Sequence, residues 1–420
     1  MSDQPERSGS SPLPVQPSST LWLALVLSLG AAVSLGITRF AYGLLLPPMR
    51  DDLGWSYTLA GAMNTFNAMG YLLGALSTPW LMQRMGPERL LVVGAALASV
   101  FMAASGFFVD AAPLLLQRLL AGLASAWVFV AGGLLAARMG ALAPERSGLL
   151  LGLYYGGTGW GIVASAVSVP WVLEAMQRQP HAWAWAWWWL ALLCVLATLA
   201  LVWVVRALAR TGSAAPPAPS AGPSAPTPLP PVRLRRFAPA LVGYTLFGVG
   251  YIGYMTFVIA LLRDQGVGSG AITLFYSLLG LAVVASSRIW AGLLDRHRDG
   301  QPLARLNALL GLATVIPALT AAWPMLLLSG LLFGGVFLSV VASTTAWVRH
   351  NLPAAQWATG ISAFTIVFAI GQIVGPTVVG WIADGPGGLQ RGLVFSAVAL
   401  WVGAGFAWRQ RALVDGGGRP

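Results

Sequence analysis

The chain consists largely of long apolar runs that are separated by short polar turns. Hydrophobic residues make up 57% of the 420 residues and charged residues 9%, whereas a soluble domain carries about 25% charged residues. About 20 apolar residues in a helix cross a bilayer core of about 30 Å. We therefore predict an all-α membrane protein with twelve spans. They are placed at Leu21–Leu46, Tyr57–Leu81, Leu90–Val109, Pro113–Ala137, Gly148–Leu173, Ala184–Val205, Phe237–Leu262, Ala271–Leu294, Leu303–Ala322, Pro324–Val348, Trp357–Ile382 and Gly392–Trp408.

Proline, alanine and serine dominate residues 209–236, which carry no apolar periodicity and are predicted to form a disordered cytoplasmic linker. The linker divides the spans into two six-helix bundles, at 21–208 and 237–411. Residues 1–20 and 412–420 are interpreted as cytoplasmic tails. The polar start lacks the features of a secretory signal, so the first apolar run is kept as a span.

Arginine supplies every basic side chain, and its distribution predicts the orientation. Loops on one side hold most of the arginines, whereas those on the other side hold only Arg50, Arg178, Arg263 and Arg391. Because cytoplasmic loops carry the excess of basic residues, both termini are predicted to be cytoplasmic in a plasma membrane. The formal charge of +11 is thus a sign of topology and does not indicate nucleic-acid binding.

Two arginines lie deep inside predicted spans, at a depth where no acidic residue is found. Arg39 is in the outer half of the first span, and Arg118 is in the fourth. A guanidinium near the bilayer centre costs about 2.5–3.5 kcal/mol on translocon scales, so such residues face water or a partner. No Asp, Glu or His falls at mid-depth in any span, which predicts that the counter-ion is the substrate. The alternative is that Arg39 snorkels to the headgroups and that Arg118 supports a helix contact.

Matching segments recur in the two halves. Pro-Met-Arg-Asp51 follows the first span and Leu-Leu-Arg-Asp264 follows the seventh, as expected for a parallel repeat of two bundles. The chain thus resembles the major facilitator superfamily. The stretches Arg39-Phe-Ala-Tyr-Gly-Leu-Leu-Leu-Pro47 and Asn67-Ala-Met-Gly-Tyr-Leu-Leu-Gly74 are similar to its YbfB-type subgroup. The resemblance implies two pseudo-symmetric bundles around a central substrate cavity.

The superfamily's loop signature between spans two and three is matched in part. Arg84, Gly86 and Arg89 fit it, whereas Gln83 replaces the usual acidic residue. In the second half Asp295-Arg296 retains the acid, and Arg288 lies two turns earlier. By resemblance we expect these residues to form a cytoplasmic gate, stronger in the C-terminal half. The alternative is that they are ordinary inside-positive anchors.

Other polar residues join the predicted substrate site by helical spacing or by resemblance. Tyr42 belongs to the same stretch as Arg39, and Asn67 lies on the second span. Tyr251 and Gln372 lie on spans seven and eleven. Gln372 could instead make an interhelical hydrogen bond. Arginine suits a carboxylate or phosphate, so the expected substrate is a small organic anion or an acidic amphipathic solute.

The glycines of span five are interpreted as sites of close helix packing, and the tryptophans at 183, 185, 187, 188 and 189 as an aromatic belt at the membrane surface. Neither metal ligands nor a cofactor motif is found, and the single cysteine cannot form an internal disulfide. No pattern indicates an enzyme.

The leading functional prediction is a secondary transporter that works by alternating access, as a functional monomer. An exporter of hydrophobic drugs is the second transport hypothesis, and a membrane sensor or scaffold is the alternative of another class. Coupling to a proton gradient would need a protonatable group. Glu174 and Asp110 are the nearest candidates, although both fall at loop positions.

Overall fold

A computed structural model describes residues 17–142, 144–210, 234–353 and 356–413. Over these residues the chain is helical, and the helices follow the predicted spans. We number them α1 to α12. The first, α1, comprises the consecutive segments Pro17–Leu27, Leu29–Ala31, Ala32–Phe40 and Tyr42–Leu53; α2 and α3 share the segment Tyr57–Ser105; the others are α4 Ala111–Leu142, α5 Ser147–Ala175, α6 Ala182–Arg210, α7 Ala238–Asp264, α8 Ser269–Ile289, α9 Gln301–Leu319, α10 Trp323–Asn351, α11 Trp357–Ala383 and α12 Gly388–Trp408.

The segment Tyr57–Ser105 is two helices rather than one. Its 49 residues would be about 74 Å long at 1.5 Å per residue, more than twice the bilayer core. At Gly86 the backbone leaves the helix, with φ 78° and ψ 158°. Only glycine adopts this conformation readily, and Pro87 then restarts the helix. We call the part before Gly86 α2 and the part after it α3.

Ten described segments are long and apolar enough to cross a membrane. They include Tyr57–Ser105, which Gly86 divides, and they leave out α5, a helix of 29 residues. Over the described residues, the architecture is therefore the all-α arrangement of twelve long helices that the apolar runs predict. The helix α1 begins at Pro17, inside the predicted tail. The predicted linker lies mostly outside the described residues.

The helix α1 changes its geometry in the middle of the span. Residues Ala32–Phe40 form a π-helix, in which each N–H bonds five residues back. The hydroxyl of Thr38 also donates to the carbonyl of Val33, five residues earlier. Such turns are rare and frequently mark functional sites. Arg39 lies within this turn.

The first six helices pack against the last six mainly along three helix pairs, α1 with α7, α2 with α11, and α5 with α8. In the pair of α5 and α8 the backbones nearly touch. A Cβ atom placed on Gly159 would lie only 2.3 Å from the carbonyl oxygen of Gly280. The predicted role of the span-five glycines in close packing fits this geometry.

Candidate functional site

Arg39 is enclosed between the two sets of helices. Its side chain is 2% exposed, so it does not extend into lipid or to the membrane surface. The guanidinium lies 5.5 Å from the ring centre of Tyr71, a cation–π distance. Its Nε and Nη2 atoms are both buried and have no hydrogen-bond partner. Over the part of the chain that is described, no carboxylate forms an ion pair with it.

Arg118 is also buried, but the protein satisfies most of its donors. Its Nη1 donates to the carbonyl oxygen of Thr38 at 2.6 Å, and its Nη2 donates to Oδ1 of Asn64 at 2.9 Å. The guanidinium also lies 5.2 Å from the ring of Tyr42 and 5.7 Å from that of Trp187. Arg118 thus connects α4 to α1, α2 and α6.

The π-helix explains why a backbone carbonyl is available to Arg118. A change of hydrogen-bond register within a helix leaves carbonyl groups that need other partners. The carbonyl of Thr38 accepts from Arg118, and that of Phe40 accepts from the hydroxyl of Tyr276 on α8 at 2.9 Å. The turn that carries Arg39 is therefore held by its own bundle and by the opposite one.

The predicted residues of the N-terminal half surround these arginines. Asn67 donates to the carbonyl of Arg118 at 3.1 Å, and the hydroxyl of Tyr42 donates to the carbonyl of Ala60 at 2.8 Å. Asn64, which was not among the predicted site residues, donates to the hydroxyl of Thr256 on α7 at 2.8 Å. A hydrogen-bonded chain consequently runs from Arg118 through Asn64 to the C-terminal half.

The predicted residues of the C-terminal half bind each other. The hydroxyl of Tyr251 donates to Oε1 of Gln372 at 2.8 Å, which joins α7 to α11. The ring of Tyr251 stacks on Phe337, Phe368 and Phe247, with interplanar angles of 5°, 20° and 22°. We call these four rings the aromatic slab. Phe40, next to Arg39, packs edge-on against Phe337 at 5.7 Å, so the slab lies beside the π-helix.

The tryptophan cluster is not simply the surface belt that was expected. Trp183 and Trp187 are both 1% exposed, whereas Trp185 is 40% exposed. Positions four apart lie on one helix face, so 183 and 187 point inward. Trp187 stacks on Tyr42, and Trp183 donates to the carboxylate of Asp52.

The predicted gate residues lie near the ends of their helices, at the face that carries the termini. Arg84, Arg89, Arg288, Asp295 and Arg296 are exposed, and Arg84 stacks on Trp80 at 4.0 Å. Gly86 forms the break between α2 and α3. An ion pair in this region joins Glu88 to Arg138 at 3.3 Å. It involves the first copy of the signature, and Asp295 does not pair with a described residue.

The candidates for proton coupling, Glu174 and Asp110, are both exposed and lie at the opposite face. The structure does not bring either into contact with Arg39.

A set of contacts that sequence reasoning missed joins the two halves at the face opposite the termini. The carboxylate of Asp384, after α11, accepts from the backbone N–H groups of Tyr57 and Thr58 at 2.7 and 2.9 Å, and from the Thr58 hydroxyl at 2.6 Å. It thereby caps the first turn of α2. The Tyr57 hydroxyl also donates to Asp264 at 3.1 Å. Asp384 and Tyr57 are far apart in the chain, and no sequence pattern predicted that they are in contact.

The carboxylate of Asp384 is held in its ionised form. Burial raises its pKa, but the hydrogen bonds donated by the Thr58 hydroxyl and by the backbone at Thr58 and Tyr57 outweigh this effect. The net result is a pKa below the usual value of 3.8.

Two bundles of membrane helices that enclose a buried polar centre define a transporter of the major facilitator superfamily. The chain belongs to the family of the uncharacterised MFS-type transporter YbfB, whose model matches residues 31–407. This confirms the resemblance found in the sequence.

Relatives and solved structures agree with this assignment. The chain is 26% identical over 387 residues to a chloramphenicol resistance protein of Streptomyces lividans, covering 90% of this chain and 95% of that protein. Its fold is similar to that of a bacterial homologue of the human lysosomal transporter Spinster, solved in an inward-facing, unoccupied conformation. The TM-score is 0.69 and the sequence identity 15%, and the match covers 94% of this chain and 97% of that one. It is also similar to the nucleoside transporter NupG, with a TM-score of 0.68, 12% identity, and coverage of 93% and 100%.

Proposed function

We propose that this protein is a secondary transporter that moves a small organic anion, or an amphipathic solute with an acidic group, by alternating access. The observation that carries the proposal is the Arg39 guanidinium, which is buried between the bundles with its Nε and Nη2 atoms unpaired. A permanent charge in such a place needs an anionic partner. Since no described carboxylate pairs with it, the transported solute is the group that fits.

The contacts between the bundles support alternating access. Hydrogen bonds from α2 to α7 and α11 involve Tyr57, Thr58, Asn64 and Thr65, which lie in the half of α2 far from the termini. Nearer the termini, Leu76 on the same face of α2 is 62% exposed. With the termini in the cytoplasm, as the arginine distribution predicts, these contacts close the outer face and the described state opens inward.

Flux measurements on the protein in liposomes test this proposal. A panel of radiolabelled organic anions should include at least one whose uptake requires the protein. Replacing Arg39 with Gln keeps a polar side chain without charge, and should abolish that uptake. Replacing Arg178, an exposed loop residue, with Gln should not change it. Uptake retained in full by Arg39→Gln would contradict the proposed role of Arg39.

Export of uncharged or hydrophobic drugs is the second candidate function. It is favoured by the likeness to the chloramphenicol resistance protein and by the aromatic slab. Expression in a drug-sensitive bacterium, challenged with chloramphenicol and with lipophilic cations, separates the two. Resistance that survives Arg39→Gln would favour drug export, because a neutral or cationic drug does not need the guanidinium.

The energy source is a further part of the proposal. Since Glu174 and Asp110 are exposed, we expect proton coupling, where present, to reside in a protonatable solute or in these two residues. Flux of the same anion with and without an imposed proton gradient, in the wild type and in Glu174→Gln and Asp110→Asn, distinguishes these routes.

A further inference from the structure

Two nitrogens of the Arg39 guanidinium, Nε and Nη2, are fully buried and unpaired, and they lie on one edge of the group. The Nε–H and the outer N–H of Nη2 point in the same direction, in the plane of the group, as a fixed fork. Both of these atoms are unpartnered, whereas in Arg118 both Nη atoms are hydrogen-bonded and only Nε is unpaired. The two arginines therefore differ in what they offer a solute. Arg39 presents a complete two-donor edge, and Arg118 does not.

From this geometry we propose, building on the proposed transport of an anion, that the solute is an aromatic monocarboxylate bound by the Nε–Nη2 edge of Arg39. Two parallel N–H···O bonds from one guanidinium edge match the two oxygens of a carboxylate. A phosphate or phosphonate brings a third oxygen and a second charge, for which this edge supplies no donor. An amide supplies only one acceptor and leaves one donor unpaired.

The aromatic body of the solute is inferred from the rings around the guanidinium. On the N-terminal side, Tyr71 faces Arg39, and Phe129 lies between Tyr71 and Tyr155 with ring distances of 6.5 and 5.4 Å. Tyr155 is 38% exposed, so this cluster has an accessible face. On the C-terminal side, Phe368 of the aromatic slab is half-buried. Flat rings on both sides favour a flat solute, because offset stacking and edge contacts add to area burial.

Access to Arg39 requires side chains to move. The Nε and Nη2 atoms are closed off in the described state, and the Tyr71 ring lies over the guanidinium. Once these side chains move, a carboxylate at this edge forms charge-assisted hydrogen bonds in the plane of the guanidinium.

Ligand-induced thermal stabilisation of the purified full chain in detergent tests this inference. The probes are benzoate, phenylacetate and indole-3-acetate, each with its amide, together with phenylphosphonate and cyclohexanecarboxylate. At least one aromatic carboxylate should raise the melting temperature, at a concentration about tenfold or more below that needed by its amide, because the amide loses one charge-assisted hydrogen bond. Phenylphosphonate and cyclohexanecarboxylate should be correspondingly weak.

Two variants assign the effect to the guanidinium edge. Arg39→Lys keeps the charge but lacks the fork, and should bind the same carboxylate at least about tenfold more weakly. Its unliganded melting temperature shows whether it is folded. Arg178→Lys serves as the matched control and should bind like the wild type.

The outcomes separate this inference from the proposed function. Equal stabilisation by the amide or the phosphonate, or undiminished binding by Arg39→Lys, would overturn the monocarboxylate. If aliphatic or dianionic solutes are carried in an Arg39-dependent manner, the proposed function stands and this inference fails. If no anion in either experiment depends on Arg39, both fail.

Discussion

Arg39 and Arg118 are both buried in the N-terminal bundle, but the protein satisfies their donors to different extents. Arg118 makes hydrogen bonds to Thr38 and Asn64. The Nε and Nη2 atoms of Arg39 are buried without a hydrogen-bond partner. A buried polar group without a partner costs free energy, whereas one with good partners contributes to stability. Single residues with unpaired polar groups are typical of functional sites, because function is often obtained at a cost in stability.

This difference predicts opposite effects of the same substitution on stability. Arg118→Met should lower the free energy of unfolding, because it leaves the Thr38 carbonyl and Asn64 Oδ1 unsatisfied, at about 1–3 kcal/mol each. Arg39→Met should be neutral or stabilising, because it removes an unpaired charge. Melting temperatures of both variants in detergent check this. A large loss of stability in Arg39→Met would indicate that Arg39 has a structural partner.

The sequence predicted that Arg39 and Arg118 lie within the membrane spans. It could not predict that the protein pairs both Nη atoms of Arg118 and leaves Nε and Nη2 of Arg39 unpaired. The free-energy cost of a charge in an apolar run is visible in the sequence alone. One partner of Arg118 is the backbone carbonyl of Thr38, which the π-helix makes available. The residue types of Ala32–Phe40 do not predict a π-helix. Tyr251 and Gln372 were predicted as site residues from spacing on their own helices, but the hydrogen bond between them depends on how α7 and α11 pack.

Among the helices, α5 and α8 approach each other closely where the two bundles meet. Gly159 and Gly280 each lie where a Cβ atom would meet the other's carbonyl oxygen, at 2.3 and 2.8 Å. These distances are shorter than real Cβ contacts allow, so the two backbones can touch only because neither residue carries a side chain. If the bundles rock against each other, α5 and α8 either stay in contact at Gly159 and Gly280 or separate there.

We therefore expect Gly159→Ala to weaken the described state and impair transport. The added methyl group cannot move away from backbone atoms, so the helices must separate at this level. Gly148→Ala is the matched control on the same helix, since nothing lies within 4 Å of its Cβ position. Flux in liposomes and the melting temperature should fall in Gly159→Ala and hold in Gly148→Ala. Equal behaviour of the two variants would show that the α5–α8 contact does not matter.

Across the whole molecule, the number of helices and their pairing follow from different kinds of information. Apolar runs of about 20 residues predicted the twelve helices, because bilayer thickness sets a length that the sequence must match. The contact of Asp384 with Tyr57 joins residues 327 positions apart. Neither residue lies in a motif, and helix caps of this kind are recognised in a sequence only when they are local. The contacts between the bundles could therefore be identified only from the structure.

Because Asp384 caps α2, we expect it to stabilise the state in which the face opposite the termini is closed. Removing its charge should favour states in which the face opposite the termini is open, because the carboxylate binds both N–H groups at the positive end of the α2 dipole. Spin labels at Phe107→Cys and Gln390→Cys, in a Cys194→Ser background, report the separation of the two bundles at this face. Asp384→Asn should add a population at longer distance.

The pH dependence of this contact follows from the lowered pKa of Asp384. Its stabilising contribution is complete above the usual pKa of 3.8 and is lost as the pH falls through the lower value in the closed state. Between pH 5 and 8 the carboxylate stays ionised, and the wild-type distance distribution should not change on its account. Arg391 lines the same surface hollow, and His181 contacts Asp52 instead of Asp384. A distribution that changes in the wild type but not in Asp384→Asn over this range would show that Asp384 takes up a proton near neutral pH and takes part in coupling.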